Sequence, residues 1–302
     1  MARVFAAADI GSNTAHLLVA ATDGDIVLRL DNLNDWIPLG EIVAKHGLIP
    51  KAQADQLVAS MREFRKVAAS RRAGKIYVFG TEAIRTASNH SRLLNRIEQE
   101  SGVLVELISP RREAELSFIG VRMDAAEADP DILFEVGGGS AQIAQVAGDS
   151  LGDEISLPLG TGRVIAETDL VHPYSSELVK KASTYIQKHL KNCQLPSKPK
   201  RGAVSGGVAR GLWRALHPDG DKCLAIEELE YLIWATQRLT LEATIARFDV
   251  KPKRAGTLLP GALVYLALMQ KFQLAEVMVS EFGVREGAIL EMARGNIKGQ
   301  NP

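Results

Sequence analysis

Two short stretches of the chain pair an acid with a glycine turn and a hydroxyl. In Ala8-Asp9-Ile10-Gly11-Ser12-Asn13-Thr14-Ala15 and Phe134-Glu135-Val136-Gly137-Gly138-Gly139-Ser140-Ala141, a carboxylate stands two residues before a glycine and a hydroxyl three residues after it. Each glycine costs backbone entropy on ordering, so three in a row inside an apolar run need a reason. One reason is a tight turn; the other is close approach to the backbone, as when bare N–H groups cradle a phosphate. Mg2+ takes oxygen ligands and is usually held by one or two carboxylates together with the substrate's phosphates. Asp9 and Glu135 are the candidate metal ligands in such a site. Two plain hairpin turns remain the alternative, although an acid recurring at the same place weakens it.

The two stretches superimpose at an offset of 126 residues, Asp9 falling on Glu135, and both continue alike. Thr22 to Asp25 turns the chain into Ile26 to Leu30, and Gly148 to Asp153 turns it into Glu154 to Leu157. This predicts two three-stranded meanders, each with its glycine turn first. Downstream the apolar period becomes helical. Helices are expected over Lys51 to Ser70, Thr81 to Ser101 and Pro110 to Met123, with strands at Lys75 to Gly80 and Val103 to Ile108. The second half repeats the pattern with helices over Ser175 to Leu190, Gly207 to Leu216, Ala225 to Phe248, Lys253 to Phe272 and Val284 to Arg294. Its strands are Gly202 to Ser205 and Ala275 to Ser280. Both halves thus read as an α/β fold with helices covering a mixed sheet, divided within the acidic stretch 122–131.

Lys plus Arg and Asp plus Glu both number 36, so no global field draws the protein to nucleic acid or to an anionic membrane. Neither partner is expected. Two cysteines give no disulfide framework, and no apolar run approaches membrane-spanning length, which points to a cytoplasmic protein. No G-x-x-x-x-G-K-[ST] occurs, and the six histidines show no i, i+4 pair for zinc.

The stretches DIGSNTAHLL, GTEAIRTASN, ISPRREAELSFIGV, FEVGGGSAQ, LPLGTGR, SGGVARGL and LLPGALVYLALM with VMVSEFGVREGAIL resemble, in order and spacing, the exopolyphosphatase and guanosine pentaphosphatase family. The likeness runs from about Val4 to Met292 and is to the short two-domain form without a C-terminal helical domain. It implies an actin-like fold of two duplicated ribonuclease H-like domains, 1–124 and 125–302, with an interdomain cleft and a last helix able to pack back on the first domain. It also implies Mg2+-dependent release of terminal phosphate from inorganic polyphosphate or guanosine pentaphosphate, and pairing into a homodimer. By the same resemblance Glu113 is the general base. Phosphate contacts fall to Gly11, Ser12, Asn13, Thr14, Arg85, Gly137, Gly138, Gly139, Ser140, Gly206 and Gly207. Read without the family, Glu113 is a surface helix acid and Gly206-Gly207 a strand-to-helix turn.

Three departures touch the chemistry. The family's Asp-Ile-Gly-Gly-Gly-Ser-Thr-Glu is here Glu135 to Gln142, which lengthens one acid and makes another a neutral amide. Its Ser-Gly-x-Glu-Glu-Ala is here Ser109 to Ala114, with Arg112 where an acid stands. The stretch Asp31 to Pro50 lacks the usual Arg-Leu-Gly. These set a phosphohydrolase reading against a second one, a catalytically weak sensor that binds polyphosphate or guanosine alarmones.

Overall fold

The computed structural model describes residues 2–124, 130–195, 198–217 and 220–302. In chain order these form β1 (Arg3–Ile10), β2 (Thr14–Thr22), β3 (Val27–Trp36), α1 (Leu39–His46), α2 (Lys51–Ser70), β4 (Lys75–Gly80), α3 (Glu82–Thr86), α4 (His90–Ser101), β5 (Glu106–Leu107) and α5 (Pro110–Arg122). There follow β6 (Ile132–Val136), β7 (Ala141–Ala147), β8 (Ser150–Leu157), α6 (Thr161–Thr168), α7 (Ser176–Leu190), β9 (Gly202–Ser205) and α8 (Gly206–Leu216). The chain ends with β10 (Cys223–Ala225), α9 (Ile226–Thr236), α10 (Leu241–Phe248), α11 (Pro252–Phe272), β11 (Glu276–Val279) and α12 (Val284–Ala293). Two compact units result, Met1–Met123 with Phe282–Pro302, and Asp124–Glu281. Within the boundary stretch 122–131, residues 125–129 lie outside the described residues.

In the first unit the sheet runs β3-β2-β1-β4-β5, with β1 antiparallel to β2 and parallel to β4. β1 is apolar almost throughout because both of its faces are covered. Ala6, Ala8 and Ile10 face Leu57, Met61 and Phe64 of α2, whereas Phe5 and Ala7 face Leu116 of α5 and Ile289 of α12. Period-two alternation therefore sends Asp9 to the α12 side of the sheet. In the second unit the order is β10-β11-β9-β6-β7-β8, over one core that includes Phe134, Ile143, Val204 and Tyr265.

The duplication expected from the sequence is present at hydrogen-bond resolution. Asp9 pairs in register with His16 on the neighbouring strand, and Glu135 with Gln142. Gly11 N donates to Thr14 O at 2.9 Å, and Gly137 N to Ser140 O at 2.9 Å. One turn geometry serves both units.

Three of the differences from the expectation have a clear local reason. The helix over Thr81 to Ser101 breaks at Ala87, and just beyond the break the Asn89 amide bonds both backbone groups of Ile49 (3.0 and 2.8 Å). The helix over Ala225 to Phe248 splits because Thr240 caps a new start, its hydroxyl accepting from Ala243 N at 3.1 Å. The strand at Val103 to Ile108 shrinks to Glu106–Leu107. There the Gln300 side chain occupies the place of a strand partner, accepting from Leu104 N at 2.8 Å and donating to Leu104 O at 2.7 Å.

Helices α5 and α12 meet backbone to backbone. A Cβ on Gly287 would overlap the carbonyl oxygen of Leu116, and one on Gly120 the carbonyl of Gly283. Since the obstacle is main chain, Gly287→Ala must part the helices, and a loss of about 3 kcal/mol is expected. The urea midpoint reads it; an unchanged midpoint would show that the helices separate freely. Among the described residues no helix is long and apolar enough to cross a membrane.

Candidate functional site

In the first unit the Gly11–Thr14 turn is stitched down by the chain that follows the meander. Ile37 N donates to Asn13 O at 2.9 Å, Gly40 N to Ser12 O at 2.6 Å, and the Ser12 hydroxyl to Glu82 Oε2 at 3.3 Å. Thr81 N donates to Ile10 O at 3.1 Å, so the Gly80–Arg85 segment starts beside the same turn.

Two residues far apart in sequence then meet. Ser109 caps α5, accepting from Arg112 N at 3.1 Å, and Pro110 opens the helix, which sets Glu113 in its first turn. The Arg85 guanidinium donates to Ile108 O at 2.7 Å and to Glu113 Oε2 at 3.2 Å. The pair is largely sheltered, with side-chain exposures of 19% and 14%, so Glu113 is not a solvated surface acid. Arg112 is held by Glu115 (3.3 Å) and Glu291 (3.5 Å).

Asp9 is engaged differently from what a metal ligand would need. Its Oδ1 accepts from Nη1 of Arg285 on α12, and both residues are buried. Its Oδ2 lies against the turn, 3.2 Å from where a Cβ on Gly11 would sit. The carboxylate's charge is matched by a guanidinium, and the carboxylate braces the turn.

In the second unit the stretch after β8 packs under the glycine turn. Thr161 N donates to Gly137 O at 2.9 Å and Arg163 N to Gly138 O at 3.0 Å, and a Cβ on Gly160 would overlap the Gly138–Gly139 peptide. That close approach requires glycine at position 160. Below the turn, Tyr265 of α11 ties two strand ends, accepting from Val136 N at 3.2 Å and donating to Ser205 O at 3.4 Å. Burial pushes this hydroxyl's pKa well up, which keeps it protonated as that donor.

A polar row crosses the sheet at that level. Ser156, Gln142, Glu135 and Ser205 are successive partners on β8, β7, β6 and β9, on the face opposite Phe134 and Val204. Ser205 Oγ donates to Glu135 Oε2 at 3.1 Å. Gly206 follows with φ +89°, and a Cβ there would stand 3.2 Å from Glu135 Oε1. Gly206 and Gly207 open α8, forming a strand-to-helix turn. Arg254 donates to Gly207 O at 3.0 Å, its pKa lowered by burial and by the nearby Arg214.

The donor set fits a preformed Mg2+ site poorly. Asp9 is committed to Arg285, Gln142 carries no charge, and among the described residues no group of three or more His, Cys, Asp or Glu side chains is placed to hold a metal. Glu135, the other expected metal ligand, accepts from the Ser205 hydroxyl at 3.1 Å.

The sequence model of the Ppx/GppA phosphatase family matches residues 19–295. The chain belongs to this family. It is 28% identical over 295 residues to Exopolyphosphatase 1 of Mycobacterium leprae, covering 93% of this chain and 87% of that protein. Among solved structures, the Aquifex aeolicus Ppx/GppA family member superimposes with a TM-score of 0.82 at 23% identity, over 99% of this chain and 100% of that one. An exopolyphosphatase from Cytophaga hutchinsonii gives 0.86 at 21% identity, over 97% and 98%. The α/β, actin-like fold expected from the sequence is thereby established, and its duplicated halves are the two sheets described above.

Within this Ppx/GppA chain, sequence reasoning assigned no role to Gly160, Tyr265 or Arg285. Arg285 had a legible signal: Val284-Arg285-Glu286-Gly287-Ala288-Ile289-Leu290 sets two charges in an apolar helix, and charged residues are almost never fully buried unless paired. Arg254 lies in the first turn of α11 and bonds α8 through Gly207 O.

Proposed function

We propose that this chain is a phosphohydrolase releasing terminal phosphate from inorganic polyphosphate or guanosine pentaphosphate, with Glu113 as general base. The observation that carries this reading is the sheltered Arg85–Glu113 pair in the unit that bears the Gly11–Thr14 turn. A guanidinium suits bidentate binding of phosphate, and the carboxylate beside it is within reach of a water directed at the same phosphorus. Glu113 takes the water's proton as the new P–O bond forms and the bridging P–O bond breaks, the electron pair leaving with the shortened chain. Arg85 meets the charge on the transferred group. In the second unit, the amides of the Gly137–Ser140 turn, with the Ser140 hydroxyl, are donors of the kind a phosphate takes.

The family's Mg2+ enters no step here, because Asp9 is matched by Arg285 and Gln142 carries no charge. That same shortage of acids favours the second reading, a binding protein with little turnover. Phosphate release measured side by side on short-chain polyphosphate and guanosine pentaphosphate separates the two. Release from either substrate supports the hydrolase, and binding without release supports the sensor.

A further inference from the structure

Gln142 is the structure's least accounted-for polar group. It is 4% exposed, both its amide oxygen and its amide nitrogen are buried, and neither has a hydrogen-bond partner among the described residues. Buried polar groups are overwhelmingly paired, and an orphaned donor and acceptor together weigh against folding. Its cross-strand neighbours Glu135 and Ser156 are polar and Ala144, two residues along on the same face, is apolar and buried, yet the amide bonds none of them. An amide kept there has a partner when a ligand is bound. Its place narrows the ligand: it is the cross-strand partner of Glu135, one residue pair below the glycine turn, in the same row as Ser205.

A carboxylate in this place could face a phosphoryl oxygen only with a cation between them. An amide differs in kind, since Nε2 can donate directly to an anionic oxygen while Oε1 accepts from water. Resting on the phosphohydrolase reading above, we infer that Gln142 is a substrate-contacting residue whose amide nitrogen donates to a phosphoryl oxygen of the bound chain, so that binding of the chain needs no divalent cation at this position. The neutral amide is then a functional replacement for a cation site.

The test uses the full chain, tripolyphosphate as probe, and calorimetry in EDTA and in Mg2+. Wild type is expected to bind in EDTA. Gln142→Leu is expected to bind about 10- to 100-fold more weakly in both conditions. The same change should raise the melting temperature of the unliganded protein by about 2–4 °C, because it removes two orphaned groups. Gln142→Glu should lose binding in EDTA and regain it when Mg2+ is added. The inference is overturned if wild type binds only with Mg2+. It is equally overturned if Gln142→Leu binds like wild type, or if that variant lowers the melting temperature with binding intact, the mark of an amide satisfied by a structural water. Failure of the parent reading looks different: wild type would bind tripolyphosphate yet release no phosphate in either condition.

Discussion

Glu113→Gln is expected to cut phosphate release by about 100- to 10,000-fold, the usual worth of a general base, while leaving substrate affinity within a few-fold. The amide keeps the shape of the side chain, and its oxygen can still accept from Arg85 across the 3.2 Å that separates them. What it loses is basicity. KM should therefore hold while kcat falls, and the melting temperature should move little, because the N-terminal turn of α5 is held by Ser109 and Pro110 and does not depend on the carboxylate. Glu113→Asp, which withdraws the carboxylate by one methylene, should fall between the two. A variant that retains wild-type kcat would remove Glu113 from the chemistry and leave it only the role of Arg85's ion-pair partner.

Arg285→Ala is expected to lower stability by about 3–5 kcal/mol, since it leaves the buried Asp9 carboxylate without its counter-charge. The effect should spread to the site, because Asp9 Oδ2 stands against Gly11 and the turn relies on that brace. Adding Asp9→Asn in the Arg285→Ala background removes the unpaired charge and should restore part of the loss, a non-additivity expected only of residues in contact. Denaturant midpoints of the four proteins in this cycle measure it. If Arg285→Ala left the midpoint unchanged, Asp9 would be solvated and available to a cation, as its spacing from the turn first suggested.

Much of this was readable before any coordinates. The offset that places Asp9 on Glu135 is reproduced by the matching registers Asp9–His16 and Glu135–Gln142. Lys51–Ser70, Lys75–Gly80 and Gly202–Ser205 coincide with their expected bounds because amphipathic period and buried strand composition are local signals. Long-range pairings leave fainter traces. That Asn89 would bond Ile49, or that the Gln300 amide would stand in for a strand beside Leu104, has no periodic signature. The site follows the same division. Its turns and hydroxyls are contiguous motifs, whereas the Asp9–Arg285 pair joins the first strand to the last helix. Asp9 looked like a metal ligand because a sequence shows an acid beside a glycine turn without showing what faces it.

The most direct measurement is hydrolysis of tripolyphosphate by the purified chain in water enriched in 18O, with mass spectrometry of the products. Attack of water on the terminal phosphorus places one 18O atom in each released orthophosphate and none in the pyrophosphate left behind. Label found in the pyrophosphate instead, or no orthophosphate released from either tripolyphosphate or guanosine pentaphosphate, would contradict a water-directing Glu113 acting on the end of a phosphate chain.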